Sequence, residues 1–199
     1  MTLNLQSWMR AVWTSLIAPA EVAAQMLALR YPRHVLWTGL ALVAILNVLP
    51  YSVVQMIAPV PIVFDQQVIT LTPFAYAVIM SAFLVLVVLT LTHLGRLMGG
   101  TGTLDGALMM IIWFQAINLT LKLIQLGLLF IAPGVAALFG TMILGATIWV
   151  LLNFVNVLHG FAHLGKAIVL IIGAFLGAML GTGIVMTFLG VVPPLGEMT

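Results

Sequence analysis

Apolar residues run almost without interruption along this chain, and the polar positions fall in a few short clusters that cut the run into pieces of similar length. Reading for about 20 consecutive apolar residues, the length that crosses a hydrocarbon core, gives five spans: Val35 to Ile57, Phe74 to Leu94, Ala107 to Ile131, Val135 to Leu158 and Ala167 to Leu189. The separators carry turn chemistry. Pro59-Val60-Pro61 and Thr72-Pro73 bound the first loop, Gly99-Gly100-Thr101-Gly102 fills the second, Ala132-Pro133-Gly134 makes a tight turn, and His159-Gly160 opens the last. Spans joined this way run antiparallel to their neighbours.

The pattern differs ahead of the first span. Trp8, Met9, Val12, Trp13, Leu16 and Ile17 recur at the spacing of one helical face. Pro19 interrupts that helix, and a second short piece, Ala20 to Leu29, stops before Arg30-Tyr31-Pro32-Arg33. The spacing predicts two amphipathic helices within residues 1–33, lying on the membrane with Trp8 and Trp13 at headgroup depth. Ala18-Pro19-Ala20 also has the small residues of a signal-peptide cleavage site, but the apolar stretch before it is short for that purpose. The expected fold is all-α: one membrane domain over residues 1–199, a polytopic bundle of five transmembrane helices preceded by short interfacial amphipathic helices.

Composition agrees with the pattern. Soluble domains carry roughly 25% charged residues, whereas this chain is 64% hydrophobic and 5% charged, with a mean hydropathy of +1.30. An odd number of spans sorts Arg10, Arg30, Arg33, Arg96 and Lys166 onto one side. The positive-inside rule makes that side cytoplasmic, with the N-terminus inside and Asp65, Glu197 and the C-terminus outside. No basic run suits nucleic acid. The absence of cysteine rules out disulfides, thiolate metal sites and a cysteine nucleophile.

Lys122 is the one cation deep inside a span. On the third span Gln115, Asn118, Lys122 and Gln125 fall at i, i+3, i+7 and i+10, within one narrow stripe at 3.6 residues per turn. An ammonium in hydrocarbon costs at least about 2.5 kcal/mol, so the stripe points inward, or Lys122 snorkels to the far end of its span, roughly 13 Å away. Asn47 on the first span and Asn153 and Asn156 on the fourth are candidate partners across helices. Such a cluster is a polar pathway or binding cleft on one reading, and a hydrogen-bond network that sets helix register on the other.

The remaining polar residues offer weaker chemistry. His34, His93, His159 and His163 lie near the cytoplasmic ends of spans, and His159 and His163 form an i, i+4 pair if that stretch is helical. Gly160 weakens such a helix and no carboxylate intervenes, so no metal site is expected. The loop from Gly99 to Asp105 precedes a helix start, where backbone N–H groups can hold an anion, yet it lacks the Lys of a Walker loop. Its glycines serve a tight re-entry. Thr103 or Asp105 caps the next helix, and Arg96 is positioned to pair with Asp105 across the loop. Gly173, Gly177 and Gly181 make a small-residue stripe on the fifth span, for close packing on a helix of the same bundle or of another chain. The twelve methionines are adaptable packing. No Ser-His-Asp set, carboxylate pair or phosphate-binding lysine appears, and neither an enzyme nor a cofactor is expected.

Two segments carry a family resemblance. The run from Thr92 to Leu108 (THLGRLMGGTGTLDGAL), followed by Trp113-Phe114-Gln115, and the run Asn156-Val157-Leu158-His159-Gly160-Phe161 resemble bacterial members of the Yip (Ypt-interacting protein) family. The five-span layout extends the likeness over most of the chain. The resemblance implies a bacterial inner-membrane location without an established reaction. Eukaryotic members bind small GTPases through long cytosolic N-terminal regions, and only about 33 residues precede the first span here, so GTPase binding is not implied. Where the family has an acidic residue before its Leu-His-Gly-Phe motif, this chain has Asn156. The expected role is a non-enzymatic accessory or scaffold subunit that binds membrane lipids, other membrane proteins or a second copy of itself. The competing expectation is a transporter or lipid-translocating protein that uses the stripe around Lys122.

Overall fold

The computed structural model describes residues 4–57, 62–64, 67–69 and 71–188. Pro59 to Pro61, Asp65, Leu189 and Glu197, on which expectations about the first loop, the last span and the outer side fell, lie outside the described residues. The elements are α1 (Leu5–Ile17), α2 (Pro19–Ala28), α3 (Arg33–Leu46), α4 (Val48–Ile57), β1 (Ile62–Phe64), β2 (Gln67–Ile69), α5 (Pro73–Leu97), α6 (Leu104–Ile131), α7 (Pro133–His159) and α8 (Leu164–Phe188). The fold is an all-α bundle. Among the described residues five stretches are long and apolar enough to cross a membrane: Arg33–Ile57, Pro73–Leu97, Leu104–Ile131, Pro133–His159 and Leu164–Phe188. The first loop holds a small antiparallel hairpin with Val63 opposite Val68, in keeping with the β-branched residues there.

Local chemistry explains the helix ends. Thr72 and Thr103 cap α5 and α6, their hydroxyls accepting from the N–H groups of Ala75 and Gly106. Pro73 and Pro133 occupy first-turn positions, where the missing N–H costs nothing. α5 and α7 end in the same way, on a left-handed glycine: Gly99 at φ 83° and Gly160 at φ 63°. The following N–H groups reach back, Gly100 to Gly95 O at 2.8 Å and Phe161 to Asn156 O at 3.1 Å, which occupies carbonyls the helix leaves open.

The first span is broken at Asn47. Pro50 has no N–H for the Leu46 carbonyl, and its ring crowds that carbonyl, so the helix parts between Leu46 and Val48. The freed turn is held by Asn47, whose backbone N–H and Nδ2 both donate to Val43 O, at 3.1 and 2.8 Å.

α1 and α2 meet at a bend of 118° and dock on the bundle. Val12 and Ser15 are buried against it, and Pro19, Val22 and Ala23 seat α2, chiefly on α7. Trp113 Nε1 donates to Ser15 Oγ at 3.0 Å, Trp8 Nε1 donates to Thr120 Oγ1 at 3.1 Å, and the two indoles meet edge to face at 5.4 Å. Thr120 stands about 24 Å along α6 from its first residue. Trp8 is therefore tied to a residue well inside a span, whereas Trp13 is exposed. An indole N–H withdrawn from water needs an acceptor, and these hydroxyls supply one to each half-buried ring.

The core lies toward the end where Arg33, Arg96 and Lys166 sit. Val88, Leu108, Val150, Phe154, Ala167 and Leu170 are fully enclosed there. Toward the α6–α7 turn the helices part, and Phe130, Ile131, Leu138 and Met142 are exposed. Together with Leu42, Ile172, Met179 and Leu180 they form an apolar exterior matched to acyl chains.

Gly173, Gly177 and Gly181 face α5. A Cβ on them would meet Leu94, Thr90 and Leu86 respectively, so the small-residue stripe is used within the chain, in its most extensive helix pair.

Candidate functional site

α6 and α7 form an antiparallel hairpin about Ala132, so side chains near the turn on one helix meet those near the turn on the other. Gln125 Nε2 donates to Ala136 O at 3.3 Å, and a Cβ on Gly140 would collide with the Gln125 amide. Asn153 and Asn156 lie near the far end of α7, abreast of the start of α6, where a Cβ on Gly106 would touch Leu158. They are too distant to partner Lys122.

The seven polar residues singled out from the sequence therefore divide. Lys122, Asn47 and Gln125 come together. Lys122 Nζ donates to Asn47 Oδ1 at 3.2 Å. Asn118 spends its amide on Phe114 O in its own helix, and Asn153 does the same with Trp149 O. Gln115 is buried and opens on a separate small cavity of about 60 Å³ among Leu84, Phe114 and Phe175. Asn156 has a buried Oδ1 without a hydrogen-bond partner among the described residues.

Around Lys122 the parted helices leave a cleft of about 450 Å³, within the usual range of small-molecule sites. The break between α3 and α4 contributes Asn47 and α4 contributes Pro50, Tyr51 and Val54; α5 contributes Tyr76; α6 contributes Lys122, Gln125, Leu126 and Leu129; α7 contributes Ala136 and Ala137. The walls are mainly apolar. Tyr51 and Tyr76 stack face to face at 3.9 Å. The Tyr51 hydroxyl donates to Leu71 O at 3.2 Å and accepts from Gln55 Nε2 at 3.0 Å, which fixes the wall opposite α7. The break at Asn47 aims the site, because the amide held on Val43 O turns its oxygen to Lys122.

A second assembly sits at the basic end. His159, 1% exposed, fills a cradle of glycines: a Cβ on Gly95, Gly100 or Gly102 would overlap its side chain. Thr101 N donates to His159 O at 3.0 Å, and Phe161 stacks on the imidazole at 5.3 Å. Neither ring nitrogen has a hydrogen-bond partner among the described residues. The glycine loop and the Asn156 to Phe161 run, read separately in the sequence, are thus one packed unit. His159 and His163 are not a helical pair, since α7 stops at His159. Among the described residues no three His, Cys, Asp or Glu side chains gather as a metal site.

The expected pairing of Arg96 with Asp105 is corrected. Asp105 receives two bonds from Arg33, at 2.8 and 3.2 Å, and Arg96 Nε donates to Gly102 O at 3.1 Å. The turn after α5 draws Arg96 onto its own loop, while the start of α3 brings Arg33 alongside the first turn of α6. Thr103 is the cap, which leaves the Asp105 carboxylate for Arg33. Pro50 was a readable signal for the break, lying three residues beyond Asn47; the cradle around His159 had no local signal, because its parts lie on separate helices.

A sequence profile of the Yip1 domain matches residues 13–186. The match takes in all five apolar stretches almost entirely, the Lys122 cleft and the His159 cradle, and begins after Trp8. No curated protein and no solved structure matches the chain.

Proposed function

The chain belongs to the Yip1 domain family, and from that premise we propose that it is a non-enzymatic membrane protein that binds a membrane lipid in the cleft beside Lys122, as an accessory to other membrane proteins. One observation carries this reading: among the described residues Lys122 meets a single neutral acceptor, Asn47 Oδ1 at 3.2 Å, on the wall of a mainly apolar cleft of about 450 Å³. An intramembrane ammonium seeks polar company, and it has three donors. Asn47 takes one. Val54, Leu126, Leu129 and Ala137 offer acyl-chain surface beside the others.

The same geometry favours holding over passage. A translocation route needs polar groups in file, whereas Asn118 is spent within α6 and Gln115 opens elsewhere. Scaffolding through Gly173, Gly177 and Gly181 loses its support, since those residues pack on α5. Contacts with other subunits or a second copy then fall to the exposed apolar faces of α7 and α8. The basic end faces the cytoplasm in this reading, which puts the N-terminus inside and the C-terminus in the periplasm of a bacterial inner membrane, and no nucleic acid is engaged.

The test is retention of lipid through purification in mild detergent, read by native mass spectrometry. The wild type keeps a lipid adduct that Lys122→Met loses while remaining folded. A lipid-free wild type, or the same adduct on Lys122→Met, overturns the proposal.

A further inference from the structure

Resting on that lipid-binding reading, we infer that the cleft selects a headgroup bearing net negative charge, a phosphate or carboxylate with no cation of its own, carried on an apolar tail. Among the described residues that line the cleft, Lys122 is the one charged group, and no Asp or Glu is present. The Asp105 carboxylate is at the opposite end of α6, engaged with Arg33 at 2.8 Å. An ammonium brought in by a zwitterionic headgroup would meet a like charge and no carboxylate. A neutral headgroup would leave Lys122 without a counter-ion in a medium where charges interact strongly.

Around Lys122 the donors of Asn47, Gln125 and Tyr51 are spent on backbone carbonyls, which leaves the ammonium to donate to a ligand. Asn47 is the acceptor nearest the ammonium, and its amide orientation is set by Nδ2 on Val43 O at 2.8 Å, so its oxygen takes one Nζ proton and the remaining donors are open to the cleft. Two further acceptors at the cleft already receive a donor, while Gln125 Oε1 adds one neutral acceptor to that of Asn47. The Tyr51 oxygen receives Gln55, and the carbonyl of Ala136 receives Gln125. The tyrosine faces that could hold a quaternary ammonium spend one side each on their mutual stack, 3.9 Å apart and 2° from parallel. The cleft thus offers a positive charge and few places for another.

Native mass spectrometry of the full chain in detergent tests this, with equal amounts of phosphatidylglycerol, phosphatidylcholine and diacylglycerol of identical acyl chains, and inorganic phosphate as a separate probe. Phosphatidylglycerol should exceed phosphatidylcholine and diacylglycerol by about fivefold or more, the ratio to which one lysine's attraction for an anionic lipid corresponds. Lys122→Met should erase the preference by lowering phosphatidylglycerol to the level of the other two lipids, while Lys122→Arg should keep it. Equal binding of all three lipids overturns the charge selection and leaves lipid binding standing. Binding of none overturns lipid binding itself. Phosphate binding as well without a tail makes this a free-anion site and overturns the inference, as does a preference that survives Lys122→Met. If Lys122→Met fails to fold, Lys122→Gln and Asn47→Ala carry the comparison, the first expected to lose the preference and the second to keep it.

Discussion

A side chain on Gly95 would occupy the space already taken by the imidazole of His159. Gly102 stands in the same relation to that ring from the other side of the loop, and the two contacts tie the end of α5 to the end of α7. Gly95→Ala and Gly102→Ala should each lower thermal stability by an amount corresponding to about 1–3 kcal/mol of overpacking. Gly145→Ala, with nothing within 4 Å, should be neutral or stabilising by up to about 1 kcal/mol through helix propensity. Thermal unfolding in detergent, followed by tryptophan fluorescence, separates them. Equal midpoints for Gly95→Ala and Gly145→Ala would mean that the cradle is loose.

The N-terminal pair is held by hydroxyl groups that receive indole N–H donors. Ser15→Ala should destabilise the docking of α1 by about 1 kcal/mol, because the half-buried indole of Trp113 loses its acceptor. Trp113→Phe in the Ser15→Ala background should recover part of that loss. Hydrogen exchange of α1 amides reads the effect directly, with faster exchange in Ser15→Ala than in the double variant.

Lys122 and Asn47 should behave as a coupled pair. A double-mutant cycle with Lys122→Met and Asn47→Ala isolates the term between them, since the bond from Asn47 Nδ2 to Val43 O is lost in both backgrounds. The expected coupling is about 0.6 kcal/mol, the average for interhelical bonds in membranes. Denaturation in mixed micelles measures it, and strict additivity would show that the 3.2 Å contact contributes nothing to stability.

The glycine stripe of α8 distinguishes internal packing from assembly. Gly181→Leu drives a branched side chain toward Leu86, whose Cδ1 already lies 2.8 Å from the position of a Cβ. The unfolding midpoint should fall by several degrees while the mass of the protein–detergent particle, measured by light scattering, stays the same. A changed mass at constant midpoint would return the stripe to an intermolecular role.

The number of spans and most of their ends were open to reading from residue order alone, because they rest on short-range chemistry; the break of the first span at Asn47 was not read. Thr72-Pro73, Thr103 and the glycines after α5 and α7 act on backbone groups within a turn of themselves, and a span announces itself by its apolar length. The same order located Lys122 as a charge that belongs inside, and the Yip resemblance joined two segments that prove to be in contact.

Tertiary structure decided what each of those faces meets. Helical spacing says which side chains share a stripe, and nothing in it says which helix lies opposite or how far the stripe twists around the axis. Lys122 therefore found Asn47 rather than Asn153 or Asn156, Asp105 found Arg33 rather than Arg96, and Gly173 to Gly181 found α5. The bond between Trp8 and Thr120 spans 112 positions in the chain. Contacts of that kind follow from how apolar surfaces close on one another in three dimensions, a property of the whole bundle that no single segment carries.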